Sequence, residues 1–278
     1  MKIIVAHDWF LEWGGAERFV LSMSKQLKVA SVYTIAVSQQ IRNIFEANKI
    51  ETISFVPDWL VGRLSTKDLF RLLFLFTPLF WKLVPTDRAD VVISSTHTML
   101  SNLVKKKNTS KHIVLVCSYP KHLYPKTSGL VSSLVYPFYR FLDLRAMRKA
   151  DNVVVISQHM KKKVDNIYKI DSTVLYPPTI QRPYGKKPKG RGDFYLSVSR
   201  LVPQKHTDLI IESFKTRKDD VYIVGVGSEK EKLKRLASGH KNIKFTGSIS
   251  NYQLSKLYSA AKAVICCYEN EDYGYVPI

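Results

Sequence analysis

Two cations, Arg200 and Lys205, lie in the run Tyr195-Leu-Ser-Val-Ser-Arg200-Leu-Val-Pro-Gln-Lys205-His-Thr-Asp-Leu. A strand is expected to end near Ser199, a turn to hold the proline, and a helix to start near Thr207. Both cations then stand at the carboxyl end of a parallel strand, where open α/β sheets bind ligands. A planar guanidinium fork beside a lysine point charge suits a diphosphate, although the spacing also accommodates a solvated pair of loop cations. The turn Gly14-Gly15-Ala-Glu17-Arg18 separates the first expected strand from the first helix. Glycines there let the backbone approach a phosphate at a helix N-terminus, or they serve a tight turn that needs positive φ. In Cys266-Cys-Tyr-Glu269-Asn-Glu271-Asp272-Tyr273-Gly274 carboxylates follow a strand directly. They suit sugar hydroxyls, or a solvated loop. Gly225-Val-Gly227-Ser-Glu is a dinucleotide-fingerprint fragment without its third glycine and gives no NAD reading. No Asp-x-Asp of the kind that holds a metal-bound nucleotide sugar is present.

Short β-branched runs alternating with helical segments carry these residues, the pattern of βαβ units and a parallel sheet. Strands are expected at Ile3–Ala6, Ser31–Val37, Val91–Ser95, Ile113–Cys117, Val153–Ser157 and Thr173–Tyr176, with a first helix over Ala16–Leu27. After Pro177-Pro178 the composition shifts. Residues 181–192 carry prolines, glycines and the basic residues Arg182, Lys186, Lys187, Lys189 and Arg191, and read as a linker. A second series follows, with strands at Phe194–Ser197, Val221–Val224, Ile243–Phe245 and Ala263–Cys266. Its helices are expected at Thr207–Lys215, Glu229–Ser238 and Asn251–Ala260. The reading is an α/β chain with two Rossmann-like domains, 1–180 and 193–278. The second is incomplete, with about four strands where doubly wound sheets usually have five or six.

The chain has 278 residues, 45% apolar and 24% charged, the balance of a water-soluble globular protein. Its 43 Lys and Arg against 23 Asp and Glu give a formal net charge of +20. That excess points to an anionic partner: nucleic acid, a lipid headgroup surface or a phosphate-bearing substrate. A nucleic-acid binder would need a basic patch interleaved with exposed aromatics, or a recognisable module, and neither is found. The three cysteines, Cys117, Cys266 and Cys267, form no disulfide framework and read as reduced thiols of a cytosolic protein. No histidine or cysteine pair has zinc-ligand spacing, and no metal is expected. The apolar run at the N-terminus is too short for a signal peptide. The stretch Leu69–Val84, broken by Arg71, Thr77, Pro78 and Lys82, falls short of the ~20 residues of a spanning helix. Trp59–Val84 is nonetheless aromatic and leucine-rich, with Arg63, Lys67, Arg71 and Lys82 interspersed. It reads either as an amphipathic surface dipping into a bilayer or as two core helices hinged at Pro78.

In order and spacing these segments resemble the GT-B glycosyltransferases of family 4, which have two facing Rossmann-like domains. The resemblance covers nearly the whole chain. In the first half it rests on His7-Asp8-Trp9, Gly14-Gly15-Ala-Glu17-Arg18, Val92-Ile-Ser-Ser-Thr-His97, Ala150–Ser157 and Val174-Leu-Tyr-Pro-Pro178. In the second it rests on Ser199–Lys205, Ile223–Glu229, Asn242–Ser250 and Glu271–Pro277. It implies transfer of a hexose from a nucleotide-diphospho-sugar (GDP-mannose or UDP-hexose) to a lipid-linked or polysaccharide acceptor, with retention and without a metal or other cofactor. Arg200 and Lys205 would hold the donor diphosphate, beside Gly14, Gly15, Ser199 and Gly247. Ile249 would touch the base and Glu271 the sugar ring. Residues 1–180 would be the acceptor side, with Glu17, His97 and His122 as its candidates. The resemblance also implies work at the cytoplasmic membrane face, with an anionic membrane surface as partner, in polysaccharide or lipopolysaccharide assembly.

Two departures accompany the resemblance. The family's acidic motif has a second glutamate after seven intervening residues, and here Glu271 is followed by Asp272 to Ile278, where the sequence ends. The chain therefore reads as C-terminally truncated. The alternative to an enzyme is a non-catalytic remnant, or a subunit needing a separate C-terminal-half polypeptide. The family's His-x-Pro is replaced by Ser118-Tyr119-Pro120, leaving His97 or His122 as substitutes.

Overall fold

The structure, a computed structural model, describes residues 1–107, 109–124, 130–178, 192–269 and 271–278. The chain forms two compact units, Met1–Pro178 and Thr179–Ile278. All but the last residue of the expected linker, 181–192, lies outside the described residues.

The first unit is a seven-stranded parallel sheet: β1 (Ile3–His7), β2 (Ser31–Thr34), β3 (Glu51–Ser54), β4 (Val91–Thr96), β5 (Lys111–Val116), β6 (Asn152–Val155) and β7 (Thr173–Val174). Its spatial order is β3-β2-β1-β4-β5-β6-β7. The strands are continuous β-branched runs because helices cover both faces. On one face α1 (Gly15–Gln26) and α2 (Gln39–Ala47) bury Val20, Ile41 and Phe45 against Val5, Phe10 and Val32. On the other, α3 (Asp58–Val61), α4 (Thr66–Phe74), α5 (Thr77–Lys82) and α6 (Leu130–Lys149) surround Leu69, Leu73, Phe74 and Trp81. α7 (Gln158–Tyr168) leads into β7, its first turn capped by the Ser157 hydroxyl, which accepts from the Met160 N–H at 3.0 Å. The sequence reading omits β3 and the helices α2, α6 and α7. β3 is a four-residue edge strand, Glu-Thr-Ile-Ser, whose polar content hides its strand character.

The second unit is a four-stranded parallel sheet of β8 (Phe194–Val198), β9 (Asp220–Val224), β10 (Ile243–Gly247) and β11 (Ala263–Val264), ordered β10-β9-β8-β11. Its helices are α8 (Thr207–Lys215), α9 (Lys230–Leu236) and α10 (Asn251–Ala260). The last begins with a capping box in which Ser250 accepts from the Gln253 N–H and the Gln253 side chain accepts in return. Among the described residues no helix is long and apolar enough to cross a membrane.

Asp143 joins three parts of the first unit. Its buried carboxylate accepts from Asn102 Nδ2 at 2.7 Å, Tyr168 OH at 2.7 Å and Tyr124 OH at 3.2 Å. Burial outweighs these donors and pushes its pKa up to about 6. A raised folded-state pKa gives stability that is fully present below pH about 4 and lost as pH rises through the folded value, about 3 kcal/mol by linkage. His112 and His122, which burial brings down to about 4, give the opposite trend. Asp143→Asn removes the first contribution and leaves the second. The free energy of urea unfolding of the variant relative to the native chain is therefore expected to rise by about 2 kcal/mol between pH 4.5 and 7.5. Tryptophan fluorescence reads this unit, since Trp9, Trp13, Trp59 and Trp81 all lie in it. A pH-independent difference would show that Asp143 is not the titrating group.

Candidate functional site

In the first sheet the winding direction reverses between β1 and β4, so their carboxyl ends flank a switch-point crevice. β1 runs into Asp8, which is fully buried. Asp8 Oδ2 accepts from the backbone N–H groups of His97 (2.7 Å), Thr98 (2.5 Å) and Met99 (2.7 Å), and Oδ1 accepts from that of Ser101 (2.8 Å). Burial alone would raise this carboxyl; His97 and the backbone donors outweigh it and hold it below the ordinary value. The turn after β4 is also held by Trp81, whose indole N–H donates to the Met99 carbonyl at 2.7 Å.

The His97 ring stacks on His7 with centroids 5.2 Å apart. Its Nδ1 stands 3.5 Å from Asp8 Oδ2, yet burial dominates and lowers its pKa, so the imidazole is neutral at neutral pH. His7 is fully buried, and among the described residues neither ring nitrogen has a hydrogen-bond partner. Its Nε2 lies 3.8 Å from Glu17 Oε1, an electrostatic contact too long for a hydrogen bond. Burial would raise the Glu17 carboxyl, and the neighbouring His7 and His97 outweigh it and hold it low. Glu17 Oε2 accepts from the Gly14 N–H at 2.9 Å and so caps α1. Gly14 has φ −127°, outside the left-handed region, so the tight-turn reading of this glycine does not hold. A Cβ there would stand 2.9 Å from Glu17 Oε2, so the glycine makes room for the capping carboxylate.

The second sheet has its own switch point between β8 and β11. Arg200 and Lys205 follow β8, with Lys205 closing a short turn, Pro203–Lys205. Tyr268 and Glu271 follow β11. Lys205 Nζ lies 2.5 Å from Glu271 Oε2 and 4.1 Å from the centroid of the Tyr268 ring. The Tyr268 hydroxyl donates to the carbonyl of Val198, the last residue of β8, at 2.7 Å. Burial, then Cys266, push that hydroxyl well above the ordinary tyrosine value, so it remains a donor. Arg200 is exposed at the same strand end, and His206 Nε2 lies 3.8 Å from Glu269 Oε2.

Backbone pairing fixes this strand end. Ser199 N–H donates to Val224 O at 3.1 Å, Leu201 N–H to Val226 O at 2.9 Å, and Glu229 N–H to Leu201 O at 2.9 Å. The approach is too close for side chains: a Cβ on Gly225 (φ +140°) would lie 1.8 Å from Ser199 O, and one on Gly227 2.3 Å from Leu201 O. The fingerprint fragment is thus a packing requirement. Among the described residues no group of three or more His, Cys, Asp or Glu is arranged to hold a metal ion.

The sequence pattern of Glycosyltransferase Family 4 matches residues 13–179, well over half of the chain, and that of Glycosyl transferases group 1 matches residues 179–278. The chain belongs to glycosyltransferase family 4. Among solved structures it is similar to Anabaena HepE in complex with UDP and glucose, with TM-score 0.67 and 16% identity over 99% of this chain and 77% of that one. It is likewise similar to WaaG, a glycosyltransferase involved in lipopolysaccharide biosynthesis (TM-score 0.63, 16% identity, 99% and 77% covered). A third is sucrose-phosphate synthase from Thermosynechococcus elongatus (TM-score 0.69, 14% identity, 99% and 77% covered). At these identities the likeness is one of fold, and the fold is GT-B. No curated protein matches the chain.

The glycosyltransferase holds its sequence-assigned residues in two groups. Lys205 and Glu271 form an ion pair at the second switch point, where Ser199 and Arg200 directly follow β8. Gly247 braces them from β10, its carbonyl accepting the Gly225 N–H at 2.9 Å. Ile249 packs against the small core of Leu196, Val224 and Leu254. In the first unit Glu17 and His97 are linked through His7, with Gly14 and Gly15 at the start of α1. His122 sits among aromatics, edge-on to Phe70 and Phe74 at 5.1 and 5.0 Å. Sequence reasoning gave no role to Asp8, His7 or Tyr268. The signal available for the first two was a polar pair closing an otherwise apolar strand.

The glycines grade by geometry. Gly225→Ala combines a left-handed φ with a backbone clash and is expected to destabilise by more than about 3 kcal/mol. Gly247 (φ +69°) has no atom within 4 Å of a Cβ, so Gly247→Ala is expected to cost about 1 kcal/mol. Thermal unfolding by circular dichroism measures both, and tryptophan fluorescence from the first unit is the control. Equal costs would contradict the close approach at Ser199.

Proposed function

We propose that this glycosyltransferase moves a hexose from a nucleotide-diphospho-sugar, GDP-mannose or a UDP-hexose, to a lipid-linked or polysaccharide acceptor. Transfer proceeds with retention and without a metal, at the cytoplasmic face of a membrane. The observation that carries the reading is the ion pair of Lys205 with Glu271 at the β8–β11 switch point, where Arg200 follows the same strand. In this reading the bond between the anomeric carbon and the departing phosphate oxygen breaks. The acceptor hydroxyl oxygen bonds to that carbon on the same face, and its proton passes to the phosphate oxygen. Nucleoside diphosphate and glycosylated acceptor result. Arg200 and Lys205 stabilise charge growing on the leaving diphosphate, work that a divalent cation does elsewhere. Glu271 turns from Lys205 to the sugar hydroxyls, and Ser199, Gly247 and Ile249 line the donor. Gly15 offers its backbone N–H to the phosphates, and Gly14, whose own N–H is held by Glu17, shapes that helix start. Glu17, His97 and His122 serve the acceptor side, the histidines as neutral hydrogen-bonding groups. The complex of HepE with UDP and glucose supports a uridine nucleotide as one donor candidate.

Calorimetric titration of the 278-residue chain with GDP and with UDP, in buffer containing EDTA, tests the donor side. One nucleotide is expected to bind, and Arg200→Ala/Lys205→Ala is expected to weaken it by more than about 100-fold, two charged hydrogen-bonding groups being lost. No binding to either nucleotide by protein shown folded by circular dichroism would overturn the reading in favour of a non-catalytic subunit. Binding that needs added Mg²⁺ would overturn its metal-free part.

A further inference from the structure

A lysine ammonium on its flexible four-carbon stem takes its place from its neighbours. The backbone beneath Lys205 is set by the short turn. There the Lys205 N–H donates to Val202 O at 3.0 Å and the His206 N–H to Pro203 O at 3.1 Å, with His206 left-handed at φ +46°. Two groups then meet the ammonium, the Glu271 carboxylate at 2.5 Å and the Tyr268 ring, with its centroid 4.1 Å away. They differ in how firmly they are themselves held. The Glu271 side chain is 37% exposed against 17% for Lys205, and a pair so open to water on its acidic side is screened and contributes little. The Tyr268 ring is partly buried and turns on only two torsions. It is pinned at its far end by the 2.7 Å hydrogen bond to Val198 O. Val198 ends the strand that runs into the Lys205 turn, so the ring closes a circuit from β8 through the turn to the ammonium and back to β8. An aromatic face attracts a cation without carrying a net charge. An arriving anion therefore repels Glu271 and leaves the ring where it is.

We infer that Tyr268 is a positioning residue of the donor site: its ring face, rather than the Glu271 carboxylate, fixes where Lys205 stands and keeps the ammonium there after Glu271 has turned to the sugar. What happens on donor binding rests on the proposed function; what fixes Lys205 in the free chain does not. Tyr268 acts through Lys205 and touches no reacting atom.

NMR of the full chain, labelled with carbon-13 at the lysine ε positions, tests this, because protons above an aromatic ring are shifted upfield. The Lys205 signal, identified by its loss in Lys205→Arg, is expected upfield of the other lysines. It is expected to stay there in Glu271→Gln and in Tyr268→Phe. In Tyr268→Leu, shown folded by circular dichroism, it is expected to join the others. GDP or UDP, whichever binds, is expected to leave it upfield. Tyr268→pentafluorophenylalanine keeps the ring's shape and strips its face of negative charge, so it separates attraction from packing. It is expected to weaken nucleotide binding about fivefold relative to Tyr268→Phe, and to have no effect once Lys205→Ala is present. A Lys205 signal that joins the others in Glu271→Gln, stays upfield in Tyr268→Leu, or collapses on nucleotide binding would overturn the inference. So would an equal effect of the fluorinated ring with and without Lys205. Should neither nucleotide bind, the donor reading falls, and the spectra of the free chain still decide what fixes Lys205.

Discussion

One buried carboxylate organises the first unit. Four backbone N–H groups converge on Asp8, at the joint between the central strand and the turn after its neighbour. A buried ion is tolerable only when its hydrogen-bonding capacity is met, and here the chain itself meets it. The turn 97–101 must then curl around the carboxylate, which sets His97 over His7 and, through His7, opposite Glu17. Trp81 holds the same turn from the apolar face. The helical layer on that face and the polar group at the strand ends therefore share an anchor.

The second unit solves the same problem without a buried ion. Its strand end is fixed by backbone against backbone, Ser199 and Leu201 lying on the segment after β9 at a separation only glycine permits. On that frame two long polar side chains, each only partly buried, can be positioned. Lys205 is held by the Glu271 carboxylate and by the face of Tyr268, and Tyr268 by a hydrogen bond back to β8. The preorganisation is local, built from residues on either side of one strand gap.

What the sequence made legible follows from range. Continuous apolar runs marked the buried strands, and Arg200 and Lys205 could be paired because one turn separates them. β3 was hidden by its polar edge character. The Asp8 cage was hidden because its partners are backbone groups, which leave no trace in side-chain identity. Tyr268 was hidden because its meaning depends on β11 lying beside β8. The Gly225 and Gly227 pair was visible, but its role in packing against Ser199 and Leu201 was not. Trp59–Val84 stayed ambiguous since a helix with one core face and one apolar outer face has no clean period.

The ion pair between Lys205 and Glu271 has a consequence for selectivity. An ammonium that already has a carboxylate 2.5 Å away offers little to a stray chloride or monoanionic phosphate. A ligand gains the lysine only by displacing its resident counterion, which requires several negative oxygens delivered together, and something for the released carboxylate to hold. In the proposed function a nucleotide-linked sugar brings both, the diphosphate for Lys205 and hydroxyl donors for Glu271. On that reading the unliganded enzyme discriminates by exchange rather than by attraction, and abundant small anions compete poorly for the site.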